Sequence, residues 1–417
     1  MHNKSNAFAA EIMLALAKFK NICYNEISVN AERGIFVRAL ILSVKAGYGH
    51  HSTAKAIIEK FEKNGHECVM LDIFEYVNKH LGNSIQEGYL LSTKYLSAPY
   101  GKVYGKLNKK DEPYDKYSAL VMASHMIAKK LEGYCLDFAP DVIIGTHSFA
   151  CMVMTELAEF GVIDCPTMGI VTDFTIHPFW ESTLLDYYIV PDRMLIYEMM
   201  RKGIPEDKIL PIGIPIREQF ETKTDKSEAR KKLGISNRKT ILVMSGSMGY
   251  GNIKKTLIEM DDFPGDFQIL CVCGSNKKIK AAIERHHWKK EIYIYGFVGN
   301  INEMMDASDF IISKPGGLTT SEAFAKGLPM ITVNPLPGQE DRNMDFLVNS
   351  GCVIMVNKRY TISEALYQLL SCPWRCELME ESVRHVGKPN AAEDLYQFVL
   401  KKLSANSAET EKLEPAR

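Results

Sequence analysis

DFIISKPGGLTTSEAFAKGLPMITVN (309–334) is the stretch that decides the fold. DFIIS is a short apolar run of the kind a buried strand makes. Gly316 and Gly317 follow it, a helix opens after them, Gly327 stops that helix, and PMITVN reads as the next strand. Strand, glycine loop, helix, strand is the repeating unit of a parallel sheet covered on both faces. The paired glycines let a phosphate approach the backbone, and the amides of Leu318 and Thr319 lie at the positive end of the helix dipole. Glu322 sits one turn in, where a carboxylate can accept hydrogen bonds from both hydroxyls of a ribose. Locally the glycines can equally make only a turn and Glu322 only complement the dipole. The motif as a whole, set between two strands, reads as a nucleotide site.

The same alternation extends outward in both directions. Upstream are RALILSV (38–44), CVMLDI (68–73), DVIIGT (141–146), PTMGIVT (166–172) and DYYIV (186–190). Nearer the motif are TILVMSG (240–246), FQILCVCG (267–274) and EIYIYGF (291–297), and beyond it CVIMV (352–356). Helical spacing appears between them, as in Ala54, Ile57, Ile58 and Phe61, with Gly65 placed to end that helix. The fold class is therefore α/β, as two doubly wound domains in tandem. We place an extension at 1–34, a first domain at 35–215, a second at 216–390 and a terminal helix with a polar tail at 391–417. ETKTDKSEARKK (221–232) is polar and reads as the linker and entry to the second domain. The last clear helix is AAEDLYQFVLKKL (391–403), and the polar residues after it read as disordered.

Composition agrees with two packed domains: 417 residues, 46% hydrophobic and 24% charged. The 50 basic and 51 acidic side chains leave a net charge of -1, without the basic excess of a nucleic-acid binder. The ten cysteines include Cys271 and Cys273 inside an apolar run and read as unpaired thiols of a reducing compartment. Cys372 and Cys376 lack the second pair of a zinc site. The first 34 residues contain one short apolar helix, AEIMLALAKF, without a signal-peptide cleavage pattern, and no run of about 18 apolar residues occurs. A cytoplasmic protein with peripheral membrane contact is expected.

Ligands of doubly wound sheets bind outside the carboxyl ends of the strands. Three further loops stand there. SGSMGYGNI (245–253) can admit a pyrophosphate, although its spacing is not that of the dinucleotide fingerprint. AGYGHHSTA (46–54) places His50 and His51 at a helix start, where a histidine can serve as general base, cap the helix or bind phosphate. PLPGQEDRN (335–343) clusters Gln339, Glu340, Asp341 and Arg342, an amide and carboxylate set able to grip a hexose or simply to cap a helix.

Taken together, AGYGHHSTAKAI, VTDFTIHPFW, GIPIREQF, SGSMGYGNI, GFVGNINEMM and SKPGGLTTSEAFAKGLPMITVNPLPGQEDRN resemble the glycosyltransferase family of monogalactosyldiacylglycerol synthases and processive diacylglycerol glucosyltransferases. The resemblance runs from Ala46 to Asn343 in the family order. It implies a GT-B fold: two Rossmann-like domains facing a cleft, the acceptor domain first and the UDP-sugar domain second. Phe297 and Val298 would hold the uracil. Gly316, Gly317, Leu318 and Thr319 would hold the diphosphate with Ser247 and Met248, Glu322 the ribose, and Gln339 and Glu340 the sugar. His50 matches the family's general base, although Tyr48 stands where a glycine is frequent. Asp173, His177 and Trp180 would line the acceptor side.

The implied reaction inverts the anomeric centre as it transfers glucose or galactose from a UDP-sugar to the hydroxyl of diacylglycerol. It demands no metal or cofactor, and no D-x-D motif stands at a strand end. Between 86 and 131, Tyr89, Tyr95, Tyr100, Tyr104, Tyr114 and Tyr117 recur, and 94–110 carries five lysines and no acid. Tyrosine favours a bilayer interface and lysine an anionic one, so this segment is expected to meet the inner face of the cell membrane, the alternative being an ordinary solvated helix-loop with core tyrosines. Other readings of the scaffold are an N-acetylglucosaminyltransferase acting on a polyprenyl-lipid cell-wall intermediate, a UDP-sugar epimerase or hydrolase, and a non-catalytic UDP-sugar sensor.

Overall fold

The apolar runs become strands; most are buried on both faces, whereas Ile292–Tyr295 is half-buried throughout. A computed structural model describes residues 36–45, 48–77, 119–244, 246, 252–333, 335 and 339–413. The first sheet comprises β1 (Arg38–Ser43), β2 (Glu67–Asp72), β3 (Val142–Gly145), β4 (Thr167–Ile170), β5 (Tyr187–Ile189) and β6 (Ile209–Leu210), ordered β2-β1-β3-β4-β5-β6. The second comprises β7 (Thr240–Met244), β8 (Gln268–Val272), β9 (Ile292–Tyr295), β10 (Phe310–Ser313), β11 (Met330–Thr332) and β12 (Val353–Met355), ordered β12-β11-β10-β7-β8-β9. Every pairing is parallel; Ile41 of β1, for example, lies between Met70 and Ile144. β6 is two residues long, too short to carry a periodic signal in the sequence.

Alternate residues of β1 face opposite ways. Leu40 and Leu42 join one core, while Ala39 and Ile41 join another beneath the C-terminal helix. Leu242 of β7 is likewise separated from Ile241 and Val243. The helix Gly49–Lys63 buries Ala54, Ile57 and Phe61 on the first sheet and gives way to Gly65 at φ +80°. All nine cysteines of the described residues are free, six of them buried. None of the described helices is long and apolar enough to cross a membrane.

One expectation is corrected. The terminal helix runs Ala391–Leu413, past the expected end at 403. The added residues include Ala, Glu, Lys and Leu, which are good helix formers, so their propensity outweighs the polarity that read as disorder. Within this helix Leu395, Tyr396 and Val399 pack on the first sheet, and Tyr396 Oη meets His66 Nε2 at 2.9 Å. The stretch read as the linker and entry to the second domain carries a short helix. Asp225 caps the helix Lys226–Leu233 by accepting from Ser227 N at 2.8 Å, and Arg230 is buried against Asp309 at 2.9 Å. The chain from Val37 to Arg417 forms one compact unit containing both sheets.

Candidate active site

In each sheet the chain leaves its first strand to one side and later returns to the other. β1 is followed by β2 and then flanked by β3; β7 is followed by β8 and later flanked by β10. At such a switch point the loops diverge and leave room for a ligand. The helix Gly49–Lys63 starts after β1, and the helix Gly317–Ala325 starts after β10 with Gly316 as its N-cap. The two starts meet: a Cβ built on Gly49 would lie 3.9 Å from Cβ of Leu318. Gly317 touches the end of β4 so closely that an added Cβ would come within 2.0 Å of the Thr172 carbonyl oxygen.

Three histidines gather at these strand ends, and their hydrogen bonds give them different tautomers. His147 caps the helix Ser148–Glu159, its Nδ1 accepting from Phe149 N at 3.0 Å. His177 does the same for the turn Pro178–Ser182, accepting from Phe179 N at 3.1 Å. An accepting Nδ1 places the neutral ring's proton on Nε2. His50 is the reverse. Its Nδ1 lies 2.8 Å from the Thr146 carbonyl oxygen, which can only accept, so Nδ1 carries the hydrogen and Nε2 the lone pair. Thr172 Oγ1 supports the same Nδ1 at 3.0 Å, and the His147 ring packs edge-on at 4.7 Å. Of the three, His50 alone presents a basic Nε2. Its neighbour His51 turns the other way, to Asp72 at 3.1 Å.

Burial holds these rings neutral. It lowers His50 to about 4, with the Thr146 carbonyl acting against it and His51 adding to it. It lowers His177 to about 3, aided by Arg342 and Lys202, and pushes His147 well below the ordinary value, aided by His50 and His177. All three folded values lie below the unfolded imidazole value of about 6.5. On acidification the unfolded chain therefore takes up protons first, and stability that is full above that pH is lost as pH falls toward 4. Glu322 opposes this as a single group, because its raised value favours the fold at lower pH. The melting temperature is expected to fall between pH 7 and pH 5. An equal or higher value at pH 5 in a thermal scan would show that the rings are not buried neutral.

On the second half, Glu322 is 7% exposed. Burial pushes its carboxyl up to about 8, with Arg217 pulling the other way. A neutral carboxyl can both donate to and accept from a diol. Phe297 follows β9 with 69% of its surface exposed, a planar ring open to a base, and Val298 packs at the edge of the second core. Gln339 and Glu340 begin the helix Gln339–Asn349. Asp173 accepts from Asn343 Nδ2 at 3.0 Å. Trp180 is not at a cleft wall: it is 3% exposed, in the first core, with its ring edge-on to Tyr188 at 6.0 Å. The resemblance placed it on the acceptor side, but packing against Gly169 and Leu185 takes it inward. Ser247, Met248 and the tyrosine- and lysine-rich residues up to 118 lie outside the described residues.

Thr146, Thr172, Arg217 and Asn343 acquire a place at the site that no sequence motif assigned them. Thr172, Arg217 and Asn343 stand inside stretches quoted above, and Thr146 ends DVIIGT. Their position at strand ends and helix starts was the available signal.

The comparisons with known proteins follow the same order along the chain. The family description monogalactosyldiacylglycerol (MGDG) synthase matches residues 50–216, and the glycosyltransferase family 28 C-terminal domain matches 240–395. The processive diacylglycerol beta-glucosyltransferase of Bacillus subtilis (strain 168) is 30% identical over 369 residues, covering 87% of this chain and 95% of its own. That of Bacillus pumilus (strain SAFR-032) is 29% identical over 368 residues, covering 87% and 94%. Among solved structures, Acinetobacter baumannii MurG aligns with a TM-score of 0.57 at 15% identity, over 88% of this chain and 99% of that one. CalG4, the calicheamicin glycosyltransferase, aligns with a TM-score of 0.56 at 11% identity, over 88% and 100%. These structures bear on the fold, which is GT-B. With both halves matched in order and a relative alike over nearly its whole length, the chain belongs to the monogalactosyldiacylglycerol synthase and processive diacylglycerol β-glucosyltransferase family.

Proposed function

We propose that the protein is an inverting hexosyltransferase that moves glucose or galactose from a UDP-sugar to the free hydroxyl of diacylglycerol, forming a β-glycosyldiacylglycerol. The observation that carries the reading is the meeting of the two helix starts, with the basic Nε2 of His50 on one and the Gly316–Gly317 loop on the other. His50 takes the proton of the acceptor hydroxyl as its oxygen attacks the anomeric carbon. The bond from that carbon to the diphosphate breaks on the opposite side, and the electron pair leaves with UDP. Charge then develops on the diphosphate, where the amides of Leu318 and Thr319 at the helix start stabilise it. Phe297 and Val298 hold the uracil, Glu322 the ribose, Ser247 and Met248 the diphosphate, and Gln339 and Glu340 the hexose. Asp173 and His177 border the acceptor side. This scheme uses no metal or cofactor.

The acceptor is a membrane lipid, so the enzyme works peripherally at the inner face of the cell membrane, with the lysines of 94–110 meeting anionic lipid. The relatives named as diacylglycerol β-glucosyltransferases support the choice of acceptor. Incubation of the purified protein with diacylglycerol vesicles and either UDP-glucose or UDP-galactose, followed by thin-layer separation of lipids, is expected to give a glycolipid with at least one donor. No glycolipid from either would sink the proposal, and turnover of the donor without lipid would favour an epimerase or hydrolase.

A further inference from the structure

Residues 172–174 leave β4 in the first half, yet each of the three is held by something different. The Thr172 hydroxyl supports His50 Nδ1 at 3.0 Å, and its carbonyl abuts Gly317. Asp173 Oδ1 accepts from Asn343 Nδ2 at 3.0 Å. Phe174, 3% exposed, belongs to the core of the second half, with its ring 5.3 Å from Phe346 and 6.1 Å from Phe324. Those two phenylalanines stand on the helices that begin at Gln339 and Gly317.

Asn343 is wholly buried. Its amide group donates both to Asp173 and, at 2.9 Å, to the carbonyl of Pro315, the residue before Gly316. Both partners face the amide as acceptors, which fixes its orientation. Its Oδ1 finds no donor among the described residues, so these two bonds are the amide's whole polar hold there. One side chain thus joins the expected sugar helix, the phosphate loop and the strand end that carries the hydroxyl partner of His50.

We infer that Asp173 and Asn343 are positioning residues that couple the donor-binding helices to the base, aligning His50 through Thr172. The inference rests on the transferase reading above. A shift of the Gly317 or Gln339 helix pulls on 172–174, and Thr172 is the residue of that segment whose side chain touches Nδ1. Misplacing a reacting group by about 1 Å costs on the order of 10²-fold in rate.

The test uses the full chain with Asp173→Ala, Asn343→Ala, the double variant and Asp173→Asn. Three quantities are read: kcat for glycolipid formation, UDP affinity by calorimetry, and the ratio of UDP-hexose hydrolysis to transfer. Each alanine is expected to lower kcat about 10–100-fold and raise the hydrolysis ratio, with UDP affinity within about threefold of the wild type. Both single variants lose the Asp173–Asn343 bond, so the double variant is expected to fall well short of the product of the two single effects. Asp173→Asn keeps an accepting oxygen and is expected to recover most of the turnover. Multiplying effects in the double variant, an Asp173→Asn variant no better than Asp173→Ala, singles within about twofold of wild-type kcat, or UDP binding lost together with turnover would each overturn the coupling. A wild-type protein that forms no glycolipid would instead sink the transferase reading itself.

Discussion

His50→Ala is expected to lower glycolipid turnover by about 10²–10⁴-fold, the usual contribution of a positioned general base. UDP affinity should stay within a few-fold, because the diphosphate, ribose and base are assigned to the other half. The argument is one of tautomers. His147 and His177 spend Nδ1 capping helix starts, whereas His50 gives Nδ1–H to the Thr146 carbonyl and keeps Nε2 basic. The partner is a carbonyl rather than a carboxylate, and burial lowers the ring to about 4. The acid limb of the kcat/KM profile should therefore fall below the ordinary imidazole value of about 6.5. His50→Ala turnover within tenfold of the wild type, with UDP binding intact, would mean that the proton leaves by another route.

The sequence exposed a site of this kind where chemistry depends on residue type at a strand end. The glycine pair, Glu322 and His50 stand in short motifs whose spacing alone puts them at helix starts after β10 and β1. The parallel sheets were legible for the same reason, since strands buried on both faces read as continuous apolar runs. What stayed hidden depends on contacts between distant segments. Nothing local says that Phe174 belongs to the core of the other half, that Asn343 reaches Asp173 across 170 positions, or that Tyr396 folds back onto His66. Trp180 was put on the acceptor side by the resemblance alone, and its inward packing on Gly169 and Leu185 is set by the tertiary fold. The tautomer of His50 was also out of reach, being set by a backbone carbonyl 96 residues away.

Gly317→Ala is expected to disable the protein even before a ligand arrives, while Gly316→Ala is not. Neither glycine needs a left-handed backbone; Gly316 sits at φ -77°, ψ 140°. The difference is space. A Cβ on Gly316 meets nothing within 4 Å, whereas one on Gly317 would lie 2.0 Å from the Thr172 oxygen, 2.9 Å from its carbonyl carbon and 3.1 Å from Asp173 Cα. These are backbone atoms in the segment just past β4, so no rotamer change relieves the clash, and that segment or the Gly317 helix must shift. Displacing the Thr172 backbone also draws its hydroxyl away from His50 Nδ1. Overpacking of this kind costs about 1–3 kcal/mol, and the displaced base adds on the order of a 10²-fold loss of transfer. Gly316→Ala should cost below about 1 kcal/mol as an N-cap change, yet weaken UDP binding by crowding the phosphate approach. Denaturant unfolding of the two variants without nucleotide separates the effects. Equal stability losses would mean that the contact between Gly317 and Thr172 does not hold the halves together.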